Sequence, residues 1–154
     1  MASAKVAAVV TRQPHRVVAS AEELRREKVG TVKGTSLASA VAAAGVPPGN
    51  VDDSITSGGL PAALKAGQVT AVVLGIENAI TERRKDQALQ VGVFLGPPGA
   101  LAWAVQKGDR ALLAALDDYV ASVRRTPTWS RLVIKYFGDE APEILKRARE
   151  EAER

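Results

Sequence analysis

The chain has 154 residues, with a hydrophobic fraction of 46%, a charged fraction of 25% and only 4% aromatics, so one domain can form and Ala, Val and Leu must build its core. The formal net charge of +4 is spread over short basic pairs beside acids, such as Arg25-Arg26 and Arg124-Arg125, which argues against a nucleic-acid footprint. Zero cysteines exclude disulfides and thiolate metal sites, no apolar run is long enough to span a membrane, and no signal-peptide pattern opens the chain.

Residues 5–11 form an apolar run of strand length, broken by Gln13-Pro14-His15. Ser20-Ala21-Glu22-Glu23 is a capping-box pattern that opens a short helix through Glu27. Residues 29–33 read as the next strand, and Gly34-Thr35-Ser36 follows at once. A helix over 36–44 then stops at Gly45, with Pro47-Pro48-Gly49-Asn50 beyond it. Residues 51–56 read as a strand. Gly58-Gly59 precedes a helix over 60–66, with Pro61 early enough that its missing N–H does no harm. Residues 69–74 are the clearest buried strand, a near-continuous apolar run ended by Gly75, and 76–85 read as helix.

Two further strands are expected, over 89–95 and 100–106, separated by Gly96-Pro97-Pro98-Gly99, with Trp103 inside the second. From residue 109 the pattern turns helical. Leu112, Leu113, Leu116, Tyr119, Val120 and Val123 share one face of a helix over 109–125. Trp129, Leu132, Val133, Tyr136 and Phe137 share a face of the next, over 128–137, and 142–154 is a charged final helix with a frayed end.

Strands alternating with helices predict a mostly parallel sheet covered on both faces, in which ligands bind beyond the carboxyl ends of the strands. Gly34-Thr35-Ser36 and Gly75-Ile76-Glu77 both leave such ends. At the first, unpaired helix N–H groups and two hydroxyls can cradle a carboxylate or another small anion; Thr35 or Ser36 can equally be a plain N-cap. No dinucleotide fingerprint, phosphate-loop glycine spacing or metal-ligand spacing occurs, so no cofactor and no metal is expected. His15, the only histidine, reads as a surface group in its Pro-containing loop, and Asp52-Asp53 and Asp117-Asp118 point apart as adjacent residues do. Trp103 and Trp129 read as core or interface anchors.

These segments resemble, in order, the amino-acid-type (family 3) extracytoplasmic solute-binding proteins of ABC transporters. Ser20 to Gly30 is similar to the entry to that family's second lobe, and Gly34-Thr35-Ser36 to its Gly-Thr turn. Leu64-Lys65-Ala66-Gly67-Gln68-Val69-Thr70-Ala71-Val72-Val73 resembles its "L-x-x-G-r-v-D-A-v-v" segment, Leu101 to Asp109 its "a-i-A-v-r-K-g-d", and Trp129 to Gly138 its closing "i-x-x-K-y-f-g". The resemblance implies a three-layer α/β/α single lobe of the periplasmic-binding-protein-like type II fold, with extra C-terminal helices. Residues 1–108 would be the lobe with its crossover strands, and 109–154 a helical segment packing on it or on a partner chain. The first lobe of the family is missing from the match.

The resemblance also implies that Thr35 and Ser36 hold a ligand carboxylate. The aspartate that usually binds the α-amine falls at Gly75, and the strand-opening aspartate at Thr70. The expected ligand-binding set is Gly34, Thr35, Ser36, Ser57, Gly75, Ile76 and Glu77. The expected function is that of a non-enzymatic solute-binding domain for a small carboxylate- or amino-acid-like molecule, extracytoplasmic or periplasmic, serving an ABC transporter permease. One alternative is a homo-oligomeric assembly module joined through residues 100–137, with exchange of that segment. The other is a regulatory domain of a cell-wall enzyme or a dehydratase-like protein. Neither nucleic acid nor membrane insertion is expected.

Overall fold

The computed structural model describes residues 3–152. Its strands are β1 (Ser3–Arg12), β2 (Val29–Gly30), β3 (Val51–Asp52), β4 (Ala71–Gly75) and β5 (Leu89–Leu101). They form one sheet in the order β3-β2-β4-β1-β5. The helices are α1 (Ala21–Leu24), α2 (Ser36–Ala43), α3 (Leu60–Lys65), α4 (Ile76–Lys85), α5 (Arg110–Val123), α6 (Pro127–Phe137) and α7 (Ala141–Ala152).

The sheet is mixed rather than mostly parallel. β2 runs parallel to β3 and to β4, but β1 lies antiparallel between β4 and β5. The chain path explains this. A helix connects each strand from β2 onward to the next, and such a crossover returns the chain in the same direction. β1 reaches β2 through a loop holding only the single-turn α1.

Side-chain alternation along the central strands sorts the core into two faces. Ala7 and Val9 of β1 and Ala71 and Val73 of β4 pack with Leu24 of α1 and Val41 of α2. Ala8, Val10, Val72 and Leu74 face the other way, onto Leu60 and Leu64 of α3, Ile80 of α4 and Ile144 of α7. The result is a three-layer α/β/α lobe. Val9, Val10, Val72 and Val73 are each 0% exposed, and burying each contributes about 1.5–3 kcal/mol.

Several elements differ from the sequence reading, each for a local reason. α1 is one turn, opened by its Ser20 cap, whose Oγ accepts from Glu23 N–H at 3.2 Å. It tightens at once into turns in which Arg26 and Glu27 N–H donate three residues back, to Glu23 O and Leu24 O at 3.1 and 3.0 Å. β2 ends after Gly30, although Thr31 and Lys33 still donate backbone bonds to Asp52 and Asp53 at 3.0 and 3.3 Å. β3 is short because the Asp52 carboxylate accepts from both the N–H (3.2 Å) and the hydroxyl (2.7 Å) of Ser54, which turns the chain. Gly96 bends β5 at φ 72° without ending it, and residues 99–101 go on to pair with Ser3 to Lys5 of β1. Trp103 therefore lies past the strand and is 64% exposed, so it is no core anchor.

The C-terminal helices divide. α6 buries Val133, with Trp129 and Phe137 half-buried against the core. α7 buries Ala141, Ile144 and Ala148, and its polar face covers the open edge of β5. Arg147 donates to Val91 O and Gly92 O at 2.7 and 2.8 Å, with its guanidinium 5.1 Å from the Phe94 ring centroid. α5 buries none of its residues.

Candidate functional site

The neighbouring parallel strands β3, β2 and β4 all end on one edge of the sheet, and each feeds a turn that opens a helix. This topology gathers the residues singled out above. Gly34, Thr35 and Ser36 lie between β2 and α2, Gly75, Ile76 and Glu77 join β4 to α4, and Ser57 follows β3 on the outer side.

Gly34 sits at φ 73°, a left-handed conformation that lets the chain reverse directly into α2. Thr35 is the N-cap of α2. Its Oγ1 accepts from Ala38 N–H at 3.2 Å and donates to Val32 O at 2.7 Å, so the hydroxyl proton is engaged inside the turn. The N–H groups of Ser36 and Leu37 at the start of the helix have no partner among the described residues. They and the exposed Ser36 hydroxyl are the donors this turn presents outward.

Gly75 is the N-cap of α4 and supplies no capping side chain. Glu77, in the first turn, folds back over it: a Cβ built on Gly75 would lie 2.9 Å from Glu77 Oε1 and 3.2 Å from its Cδ. The Glu77 carboxylate thus occupies the place a side chain at residue 75 would start from. It has no hydrogen-bond or ion-pair partner among the described residues, and its position near a helix start suits the dipole of α4. Because β2 and β4 are adjacent, with Gly30 opposite Val72, the amides of α2 and this carboxylate stand at neighbouring strand ends, with strands about 4.8 Å apart.

Solved structures similar to this chain are amino-acid solute-binding proteins. An ancestral arginine-binding protein bound to glutamine is 26% identical, with a TM-score of 0.58 over 88% of this chain and 61% of that one. The probable amino-acid ABC transporter extracellular-binding protein ytmK from Bacillus subtilis gives a TM-score of 0.69 at 16% identity, over 91% of this chain and 63% of that one. The second substrate binding domain of a putative amino acid ABC transporter from Streptococcus pneumoniae gives 0.71 at 18%, over 87% and 61%. This is the fold of a solute-binding lobe. The chain spans about three-fifths of the length of those proteins. No protein-family model matches the sequence, and no curated protein does.

Within the lobe the remaining sequence-predicted residues have different surroundings. Ile76 is 3% exposed and its side chain belongs to the core, so only its backbone faces the edge. Ser57 is exposed in a short 3-10 turn, one strand further out. Thr70, which stands where the resembled family has an aspartate, is bonded internally: its hydroxyl donates to Glu27 at 2.7 Å and accepts from Lys28 N–H at 2.9 Å. Sequence reasoning missed this Glu27 cluster. The residue looks like the last charged position of a surface helix, yet its side chain is only 8% exposed, and it holds His15 Nε2 at 2.9 Å. Nothing in the local pattern joins residues 15, 27 and 70; the sheet does.

Two cavities of the lobe are formed by other residues, and the first reaches the carboxyl ends of β2 and β3 through Thr31, Ala38 and Asp53. One of about 270 Å³ sits under α2, lined by Val41, Val46 and Val51 among others. The other, of about 420 Å³, lies beside Arg12 and His15. Neither includes Gly34, Thr35, Ser36, Gly75 or Glu77.

Proposed function

We propose that this lobe binds a small amino-acid-like solute across the carboxyl ends of β2 and β4. The Ser36 and Leu37 N–H groups receive its carboxylate, and Glu77 receives its ammonium. The observation that carries this reading is the unpartnered Glu77 carboxylate lying over Gly75. The chain lacks the aspartate that the resemblance leads one to look for at residue 75, and a carboxylate from two residues onward, in the first turn of α4, fills the same space. Charge-assisted contacts of this kind are the strong ones in such a site. Gly34 shapes the turn, the Ile76 backbone continues the floor, and Ser57 borders the outer side.

In this reading residues 1–108 form the binding lobe. The chain acts in recognition rather than catalysis, outside the cytoplasm, delivering its solute to an ABC transporter permease. One lobe encloses a ligand on one side only, whereas good sites bury most of it, so affinity on the order of millimolar is expected for the isolated chain. Calorimetry against a panel of amino acids and the matching amines and carboxylates tests this. Zwitterions are expected to bind best, and Glu77→Gln to weaken them about tenfold, the worth of one charge-assisted hydrogen bond. A complete absence of heat across the panel at millimolar concentration would end the reading.

A second reading rests on α5. This helix buries none of its residues, and Leu112, Leu113 and Tyr119 are exposed together with Trp103 ahead of it. A helix that leaves its apolar residues uncovered in this way marks an interaction face. A second copy of the chain joined through residues 100–137 would cover it and could supply the opposing wall of the solute site.

A further inference from the structure

The cavity of about 420 Å³ sits at the other end of the sheet from the proposed solute site. Arg12 closes β1, which runs antiparallel to β4, so Arg12 lies at the amino end of β4 and not at the Gly75 end. Arg12 and His15 are brought side by side by a tight turn, with His15 N–H donating to Arg12 O at 3.0 Å. Lys65, in the last turn of α3, forms another part of the wall, and Leu64, Val69 and Thr70 complete an apolar and hydroxylic floor.

The cations and the carboxylates here are not equivalent. No acidic residue lines the cavity. The acids nearby stand behind the wall and bond its own groups: Asp86 accepts from Arg12 Nε and from Ala88 N–H, both at 2.9 Å, and also feels the charge of Lys65. One oxygen of Glu27, buried behind the wall, receives both His15 Nε2 at 2.9 Å and the Thr70 hydroxyl at 2.7 Å. The bases keep spare capacity. Arg12 uses only Nε, leaving its terminal nitrogens, and Lys65 makes no hydrogen bond or ion pair among the described residues; His15, with Nε2 turned to Glu27, has Nδ1 as a donor only when it is imidazolium. A buried carboxylate is costly to hold and is a weak source of stability. Its visible product here is an imidazole fixed at the rim of a cavity that offers free donors from two segments, Arg12 at the end of β1 and Lys65 in α3.

We infer that this cavity is a second binding site, for a small oxyanion of the phosphate class, free or carried on a lipid headgroup. Guanidinium and ammonium are the groups that recognise such an ion. The inference does not depend on the solute-binding reading, and the two are read out at opposite ends of the sheet.

The test is a nitrogen-15 amide titration of the full chain with inorganic phosphate, against sodium chloride at matched ionic strength, paired with flotation on anionic and on zwitterionic phospholipid vesicles. Saturable shifts are expected at residues 12–15 and 64–70, absent with chloride. Lys65→Gln, at an exposed and unpaired position, and Arg12→Gln are each expected to weaken them about tenfold. Flotation on anionic vesicles alone, lost in Lys65→Gln, supports the headgroup as the carrier of the ion; shifts without flotation support the free ion. Shifts equal to those with chloride, shifts undiminished in both variants, or shifts confined to Ser36 and Leu37 with no flotation would overturn the inference.

Discussion

Thr35 and Ser36 are adjacent but do different work, and substitution separates them. Thr35 Oγ1 caps α2 and ties it to Val32, so Thr35→Ala is expected to cost about 1 kcal/mol of stability in chemical denaturation. Ser36 is the first helical residue, with an unpartnered N–H. Proline is tolerated at that position and removes only the donor, and Thr35 already has the extended backbone a following proline requires, at φ −101° and ψ 161°. Ser36→Pro is therefore expected to leave the unfolding midpoint within error while weakening any carboxylate ligand in calorimetry. Equal ligand affinity in the wild type and Ser36→Pro would remove the amide cradle from the site. Gly92 is constrained from the opposite side. A Cβ there would lie 2.1 Å from Val18 O, which accepts Val93 N–H at 2.8 Å. Backbone cannot yield as a flexible side chain can, so Gly92→Ala is expected to lower stability by about 1–3 kcal/mol in the same assay.

Elements are joined across the sheet by pairs that respond to pH. The hydrogen bond from Arg12 at the end of β1, followed by that from Ala88 N–H, holds the Asp86 carboxyl below its ordinary value of 3.8. The Arg83 guanidinium does the same for Glu140, below 4.5, and so ties α4 to the start of α7. A carboxyl depressed by folding contributes stability above its unfolded pKa and loses it as pH falls through the folded value. Urea midpoints measured from about pH 6 downward are thus expected to hold until about pH 4 and then fall. Asp86→Asn is expected to flatten part of that fall while lowering the plateau. An unchanged acid limb in Asp86→Asn would show that the Arg12 pair does not contribute to acid sensitivity. The edge of β5 illustrates a second kind of join, in which Arg147 of α7 occupies the Val91 and Gly92 carbonyls that another strand could otherwise use.

At the scale of the whole molecule, α6 and α7 complete the outer layer on the lobe, whereas α5 leaves Leu112 at 46% and Tyr119 at 54% exposure. Light scattering is expected to give a mass that rises with concentration toward a dimer, and Leu112→Glu with Leu113→Glu to return it to the monomer without lowering the unfolding midpoint. A monomer mass at every concentration would contradict self-association. Much of the architecture was legible beforehand, and unevenly. The apolar run at 69–74, the Gly45 stop and the helix over 76–85 are local signals, written in contiguous residues, and α4 spans that last range unaltered. Short-range chemistry also located the turns at Gly34 and Gly75, because a strand passing directly into a helix leaves a recognisable order of residues. The direction of β1 and the single long β5 depend on which strands pair, and no window of sequence contains both partners. The return of Glu77 over Gly75, the seat of His15 on a buried Glu27, and the grip of Arg147 on the β5 edge depend likewise on tertiary structure. Each joins groups whose meeting requires the chain to close upon itself, whereas hydrophobic periodicity records only which face of an element is turned from water.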